Sequence, residues 1–133
     1  MKYIGKYGEH FTLSNLLKSD IEAYMAIKSN QEDYDITVVL NETSVKRIQV
    51  KATELQNKNT NNSIDGTDKN YDFLILVIQD NDETRPFILT HEEAQQERGS
   101  SKKFSCSKSK KGVYFIKDNL LKYENQWQKI TNV

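Results

Sequence analysis

The amino-acid sequence predicts an α/β fold: a mixed β-sheet core flanked by helices. Three observations support this class. Residues 71–78 form an apolar run typical of a strand buried on both faces, which in mixed sheets occupies a central or parallel position. Residues 35–40 and 44–52 are two strand-like runs separated by polar residues, as in a hairpin. Helix-periodic leucines precede them, so helices and strands alternate along the chain.

The first elements follow from hydrophobic periodicity. Residues 6–18 carry apolar side chains at helical spacing, which predicts a helix with Glu9 about two turns before its end. The spaced residues are Phe11, Leu13, Leu16 and Leu17. Residues 21–27 then alternate between apolar and polar positions, which predicts a half-buried strand.

The second half mixes clear signals with a long polar stretch. Residues 54–70 are rich in Asn, Thr, Asp and Lys and predict a loop, with a turn at Asp65-Gly66. Pro86 is expected to begin a further strand over 87–89, where its missing amide donor predicts an edge position or a strand start. Thr90 and Glu93 have the spacing of a capping box, which starts a short helix through Gln96.

The C-terminal region predicts one more strand and a closing segment. Residues 113–116 are apolar and of strand length. Residues 119–127 supply an apolar face that is expected to pack on the domain. Its members are Leu120, Leu121, Tyr123 and Trp127.

Length and composition set further limits. The 133 residues are expected to form one domain, residues 1–133, large enough for a core without disulfides. Cys106 is the single cysteine, so a disulfide framework within the chain is excluded and a reducing compartment is favoured. The sequence starts without the apolar stretch of a signal peptide and contains no membrane-span-length apolar run. A cytoplasmic protein without a membrane partner is expected.

The net charge is zero, but the charges are segregated. Residues 1–97 carry ten Lys and Arg against seventeen Asp and Glu, whereas residues 98–133 carry nine against two. The segment 98–117, called the basic segment below, has seven cations and no acid. Such a segment can follow a phosphate backbone through counterion release, or it can be an ordinary solvated loop. Its candidate nucleic-acid-binding residues are Lys102, Lys103, Lys108, Lys110 and Lys111.

The predicted hairpin carries a cluster of polar side chains. Side chains alternate between the faces of a strand, so Gln49 and Lys51 project together about 7 Å apart, while Ile48 and Val50 point the other way. Asp35 opens the preceding strand, and the hairpin is expected to bring it beside them. Such a group can bind a metal ion and position a water molecule.

These residues carry a family resemblance. Asp35, then Gln49-Val50-Lys51, with Gly8-Glu9 in an N-terminal helix, resembles the PD-(D/E)XK nuclease superfamily. Within it, the chain resembles the small Holliday-junction-resolvase-like and intron-encoded endonucleases whose motif is Q-x-K. The resemblance covers roughly residues 5 to 90. It implies a restriction-endonuclease-like fold and Mg²⁺- or Mn²⁺-dependent hydrolysis of DNA.

The resemblance also implies roles. Asp35, the Gln49 amide oxygen and the Val50 carbonyl would be metal ligands, Glu9 would reach the metal or its water shell, and Lys51 would hold or deprotonate the attacking water. Mg²⁺ prefers such oxygen ligands. Gln49 replaces a carboxylate, so weaker metal binding is expected than with Asp or Glu. This departure also fits a non-cleaving member.

Each residue has an ordinary structural interpretation as well. An acid at a strand start, a solvated glutamate on a helix and a polar pair on an edge strand are common. Gln56-Asn57-Lys58 repeats the Q-x-K triplet in a polar tract, where no alternation predicts a packed strand. His10 and His91 lack partners at metal-ligand spacing, and Cys106 lacks a convincing base, so none of the three is expected to be catalytic.

Three functions remain open from the sequence. The first is a metal-dependent DNA endonuclease, expected to be a homodimer because one small domain carries one active site and duplex cleavage needs two. The second is a catalytically degenerate nucleic-acid-binding module on the same fold. The third is a protein-binding accessory of the defence or immunity type, favoured by the acidic balance of residues 1–97.

Overall fold

A computed structural model describes residues 1–26 and 33–132. Its helices are α1 (Ile4–Lys18) and α2 (His91–Arg98), with two short 3₁₀ helices, Asp118–Tyr123 and Trp127–Ile130. The strands are β1 (Glu22–Met25), β2 (Ile36–Asn41), β3 (Ser44–Glu54), β4 (Ser63–Ile64), β5 (Phe73–Asp80), β6 (Glu83–Thr90), β7 (Phe104–Ser105), β8 (Ser107–Lys110) and β9 (Val113–Ile116).

The main sheet has five strands in the order β1-β2-β3-β5-β6. β3 and β5 are parallel, and their pairing runs from Ile48 opposite Phe73 to Glu54 opposite Gln79. The other neighbours are antiparallel. The predicted parallel placement of the apolar run in β5 is therefore confirmed. The mixed sheet flanked by helices is the predicted fold class.

Two apolar layers cover the two faces of this sheet. α1 packs on β3 over a cluster that includes Leu16, Ile36, Ile48 and Val50. The opposite face lies under α2, β7, β9 and the first 3₁₀ helix, and its cluster includes Leu76 from β5. β3 contributes to both layers because its side chains alternate. This places Val50 toward α1 and its neighbours Gln49 and Lys51 toward the other layer.

Several predicted elements keep their position and change their bounds. The alternation in the predicted strand 21–27 is confirmed for β1, where Ala23 is buried and Tyr24 is exposed, but Ile27 lies outside the described residues. Pro86 does not begin its strand: β6 starts at Glu83, and Pro86 pairs with Val77 at the sheet edge. Proline is tolerated there because an edge strand needs no amide donor on its outer side.

Other parts of the second half correct the prediction. The predicted loop 54–70 contains β4, which pairs with β7, and the basic segment contains the β8–β9 hairpin. In the closing segment Leu120 and Tyr123 are buried, but Leu121 is 45 % exposed and does not belong to the packing face. Leu120 and Leu121 are adjacent in a turn of the 3₁₀ helix Asp118–Tyr123. In such a turn adjacent side chains point in different directions.

The capping box of α2 is confirmed. The Glu93 amide donates to the Thr90 hydroxyl at 3.1 Å, and the Thr90 amide donates to the Glu93 carboxylate at 2.9 Å. These bonds satisfy two amides at the helix start that have no partner within the helix. No helix within residues 1–26 and 33–132 is long and apolar enough to cross a bilayer.

Close contact between α1 and β3 depends on Gly8. A methyl group on Gly8 would lie 2.8 Å from the Ala52 side chain, whereas a methyl group on Gly5, in the same helix, would meet nothing within 4 Å. Gly8→Ala should therefore lower the free energy of unfolding by about 1–2 kcal/mol, because overpacking outweighs the gain in helix propensity.

The matched control is Gly5→Ala, which should leave stability unchanged or raise it by up to about 1 kcal/mol. Urea unfolding of both variants measures the difference. A double-mutant cycle with Ala52→Gly should recover part of the loss in Gly8→Ala, since the clashing methyl is then absent. Equal effects at Gly5 and Gly8 would show that the close approach at Gly8 is not tight.

Candidate active site on the β2–β3 hairpin

The register of the hairpin decides where Asp35 lies. Ile36 pairs with Ile48, and both side chains belong to the layer under α1. Asp35 and Gln49 each stand one residue away from that pair, so alternation turns both toward the opposite face. The Asp35 amide donates to the Ile48 carbonyl at 2.7 Å, which extends the ladder to the position of the acid.

Asp35 and Gln49 are in direct contact. The Gln49 side-chain amide donates from Nε2 to Asp35 Oδ2 at 2.8 Å. The Val50 backbone amide donates to the same carboxylate oxygen, also at 2.8 Å. Gln49 Nε2 lies 3.4 Å from the Val50 carbonyl oxygen as well. A carboxylate, an amide and a backbone carbonyl therefore meet at one point, and Gln49 is only 6 % exposed there.

This group fits a hard divalent cation by the chemistry of its donors. Mg²⁺ and Mn²⁺ take carboxylate, amide and carbonyl oxygens, and Mg²⁺ usually keeps several waters. The described residues contain no group of three His, Cys, Asp or Glu that could hold a metal. A cation here would consequently depend on the Gln49 amide and the Val50 carbonyl. Rotation of the amide exchanges Nε2 for Oε1 and would turn an oxygen toward the Asp35 carboxylate side.

Lys51 lies two residues beyond Gln49 on the same face of β3. Its ammonium group is covered by the loop between β4 and β5: a methyl group on Gly66 would lie 3.1 Å from Lys51 Nζ and 3.7 Å from Lys69 Cε. Gly66 has φ +76°, a conformation that disfavours residues with a Cβ. Glycine at this position therefore gives the loop its turn and leaves room for the Lys51 side chain.

Glu9 lies on α1, which packs on the other face of β3. Its side chain is 9 % exposed. The preceding residue is Gly8, whose close contacts are with the side chains of Ala52 and Val50. Glu9 is thus a buried acid beside the stretch of β3 that holds Val50. Its part in a metal site stays a prediction.

The loop over Lys51 is held by a buried group of polar residues that the sequence did not indicate. Tyr71 Oη and Gln95 Nε2 both donate to the Thr67 carbonyl. Burial raises the pKa of Tyr71 to about 12, so its hydroxyl stays protonated and remains a donor. His91, predicted to have no catalytic part, contacts the Lys69 carbonyl through Nε2 at 2.9 Å. The only signal for this loop was the Asp65-Gly66 turn.

A second polar centre anchors the preceding loop. Asn62 is fully buried, with φ +54°. Its Nδ2 donates to the Leu55 carbonyl at 2.8 Å and to Ser107 Oγ at 2.9 Å, and Thr53 Oγ1 donates to its Oδ1 at 3.0 Å. Asn62 therefore joins the end of β3 to the start of β8. Nothing local in the sequence distinguishes it from the other asparagines of this tract.

The basic segment is distributed over β7, β8 and β9. Lys103 lies 3.7 Å from Asp65, and Lys108 lies 3.1 Å from Asp118. The sequence segment has no acid of its own, but folding brings these two from outside it. Both pairs are exposed and contribute little stability. Lys102, Lys110 and Lys111 are exposed and make no ion pair within the described residues.

The second Q-x-K triplet has a structural use. Gln56 Nε2 donates to the Tyr114 carbonyl at 2.9 Å, and the Tyr114 amide donates to Gln56 Oε1 at 3.1 Å. Gln56 thus joins β9 to the end of β3, and no acid within residues 1–26 and 33–132 bonds to its side chain. Cys106 is fully buried, and burial raises the pKa of its thiol to about 12, so the thiol stays protonated near neutral pH. This agrees with the expectation of an inert cysteine.

No protein-family model matches the chain, and no curated protein matches its sequence. Among solved structures, a bacterial homing endonuclease, I-Ssp6803I, superposes with a TM-score of 0.67. The match covers 98 % of this chain and 91 % of that chain, at 13 % sequence identity. The chain therefore has an endonuclease-like fold, which confirms the predicted nuclease-type mixed sheet.

Proposed function

We propose that this protein is a metal-dependent endonuclease that hydrolyses phosphodiester bonds in DNA. The single observation that carries the proposal is the contact between Asp35 and Gln49, beside the Val50 carbonyl and with Lys51 on the same strand face. It occurs on a fold shared with a homing endonuclease along almost the whole chain. Neither the fold alone nor the four residues alone would support the activity as well.

Asp35, Gln49 and the Val50 carbonyl would hold the cation, Mg²⁺ or Mn²⁺, and Glu9 on α1 would reach the metal or its water shell from the far side of β3. When bound, the cation supplies Lewis-acid polarisation of the phosphoryl oxygen. The residues around it keep the site in place: Asp35 is fixed by the Val50 amide, and Gln49 is buried. A fixed carboxylate loses little conformational freedom when it binds a ligand.

Lys51 would act on the reacting groups themselves. Its ammonium group can hold a water molecule near the phosphorus and offset negative charge that grows on the phosphoryl oxygens. Gly66 lies beside it. The loop therefore restricts the positions that the Lys51 side chain can take, which favours one productive geometry.

The basic segment would bind the DNA backbone. It begins beside the site, because β7 pairs with β4 and Lys103 contacts Asp65, the neighbour of Gly66. Its lysines 102, 103, 108, 110 and 111 would approach phosphates.

We also propose that the protein is a homodimer, since cutting both strands of a duplex needs two such sites. We propose that it acts in the cytoplasm.

A nicking experiment tests the proposal. Supercoiled plasmid, duplex, flap, four-way-junction and single-stranded substrates are incubated with purified protein in Mg²⁺, in Mn²⁺ or in EDTA. Cleavage of at least one substrate is expected with either metal and none with EDTA. Asp35→Asn should remove cleavage, whereas Asp20→Asn, an exposed acid at the end of α1 with φ +61°, should not. Protein that cuts none of these substrates would contradict the proposal.

One observation favours a second function, a nucleic-acid-binding module that does not cleave. Gln49 occupies a ligand position as a neutral amide, and its donation to Asp35 already satisfies that carboxylate in part. Salt-dependent DNA binding without metal-dependent cleavage, in the same substrate panel, would identify this function.

A further inference from the structure

The hairpin β8–β9 forms a two-stranded ribbon that joins neither of the other sheets. Lys108 pairs with Phe115, and Lys110 pairs with Val113. Residues directly opposite each other in an antiparallel pair share a face. One face of the ribbon, called the outer face below, therefore alternates two lysines with two apolar side chains. Val113 is 45 % exposed and Phe115 is 48 % exposed.

The inner face of the ribbon is fixed to the domain. Tyr114 binds Gln56 through its backbone, and its hydroxyl donates to Asn61 at 2.7 Å. Ser107 and Ile116 are buried. The ribbon is thus held in one orientation with the outer face turned to solvent. Because the ribbon is already ordered, no free energy is lost in ordering it when a partner binds these exposed apolar side chains.

The surroundings of the outer face are positively charged. At the ribbon tip, Lys111 and Gly112 form the turn, both with positive φ, and Lys58 Nζ would lie 3.9 Å from a methyl group on Gly112. The ribbon therefore gathers four exposed lysines. Asp80 lines the same cavity as Lys108, Val113 and Phe115, but Arg85 pairs with it at 3.1 Å. Among the described residues, Asp118 is the acid that pairs with these lysines: it contacts Lys108 at 3.1 Å, and its side chain is 83 % exposed. Because this ion pair is exposed, Lys108 can exchange Asp118 for a phosphate at little cost in free energy.

We propose that the outer face of this ribbon enters the major groove of duplex DNA and reads base edges there. The proposal rests on the proposed endonuclease function and deepens it by naming the element that recognises the substrate. The major groove, about 12 Å wide, admits a two-stranded ribbon. Lysines 58, 108, 110 and 111 meet phosphates along the groove. Phe115 and Val113 contact the bases, with thymine methyl groups as the apolar partners.

The combination of residues selects this partner over others. Lysines alone would bind any phosphate backbone without reading its sequence. An exposed apolar face without lysines would instead favour a protein partner. Here lysines and apolar side chains alternate on one face. The lysines complement the two phosphate backbones that border a groove, and the apolar side chains lie where the base edges would be.

Selection from a library of randomised 20-base-pair duplexes tests the inference, with EDTA present to prevent cleavage. Wild-type protein should select a sequence motif. Phe115→Ala should bind that motif about tenfold more weakly and select a motif that is relaxed at some positions, with an unchanged salt dependence. Lys110→Ala with Lys111→Ala should weaken binding to all sequences and reduce the salt slope by roughly 0.9 per lost contact. Leu17→Ala, an equally exposed apolar residue on α1, is the matched control and should behave as wild type.

Replacing thymine by uracil in the selected duplex removes the methyl groups without changing the backbone. It should weaken binding by wild-type protein and have little effect on binding by Phe115→Ala.

A Phe115→Ala protein that selects the wild-type motif at full strength would overturn the inference. Binding without any motif would overturn it too, while metal-dependent nicking would still support the endonuclease. Self-association that Phe115→Ala abolishes would assign this face to a second copy of the chain and overturn groove binding. Absence of both binding and nicking would contradict the proposed function itself.

Discussion

Lys51→Met should abolish DNA cleavage and leave DNA binding and folding intact. The substitution keeps the length of the side chain and removes its charge, so the contact with Gly66 is largely preserved. Without the ammonium group, no charge of this residue offsets the developing charge on the phosphoryl oxygens. Loss of a positioned group of this kind lowers the rate by on the order of a hundredfold or more. The change is expected in the turnover rate, because Lys51 is expected to act mainly in the transition state.

The measurement is the single-turnover nicking rate at saturating protein in Mg²⁺, beside the affinity for the same DNA in EDTA. Lys18→Met, in the last turn of α1, is the control for removing one lysine charge and should cut at the wild-type rate. Circular dichroism and urea midpoints show whether each variant is folded. A Lys51→Met protein that cuts within a few-fold of wild type would rule out the assigned role.

Asn62→Ala should destabilise the protein by about 3 kcal/mol or more. The substitution leaves the Leu55 carbonyl, Ser107 Oγ and Thr53 Oγ1 without their partner in a fully buried place. Each buried polar group left unpaired costs about 1–3 kcal/mol. Alanine at φ +54° adds about 1 kcal/mol, because its Cβ approaches the following carbonyl. The lost bonds join β3 to β8, so the ribbon should also become less firmly attached.

Asn61→Ala separates these contributions. Asn61 has φ +49° as well, but it is exposed and accepts a single bond, from Tyr114. Asn61→Ala should lower the free energy of unfolding by about 1–2 kcal/mol, mostly because of the backbone conformation. Urea unfolding gives both values, and hydrogen exchange of the β8 amides reports on the attachment of the ribbon. Equal losses at positions 61 and 62 would mean that the buried bonds of Asn62 contribute little.

The sequence predicted the elements whose signals are local. Alternation located Gln49 on a strand, the apolar run located β5, and the Thr90–Glu93 spacing located the start of α2. The hairpin register follows from burial of Ile36 and Ile48 together under α1, since a shift of one strand by one residue would put them on opposite faces. The contact between Asp35 and Gln49 is a direct consequence of that register. This part of the site can be predicted from the sequence alone.

The remainder depends on contacts between distant parts of the chain. Gly66 lies over Lys51, fifteen residues away, and Asn62 binds Ser107 across 45 residues. No periodicity encodes such contacts. The sequence did not predict β7 and β8, because β7 has only two residues and β8 consists of Ser and Lys. Such short strands depend on their pairing partners more than on propensity. Asp65 pairs with Lys103 and Asp118 pairs with Lys108 only in the folded chain, so the absence of acids from residues 98–117 overstates the free positive charge of that segment.

Anomalous diffraction from crystals soaked in Mn²⁺ tests the central claim most directly, because it locates the ion without relying on a substrate. We expect an anomalous peak within about 2.0–2.6 Å of Asp35 Oδ2 or Oδ1, the Val50 carbonyl and Gln49 Oε1, with the Gln49 amide turned from the orientation that donates to Asp35. The same crystals of Asp35→Asn should lack the peak. A wild-type crystal with Mn²⁺ in the solution, no peak at Asp35 and Gln49 Nε2 still donating to the carboxylate would contradict the claim that these residues form a metal site.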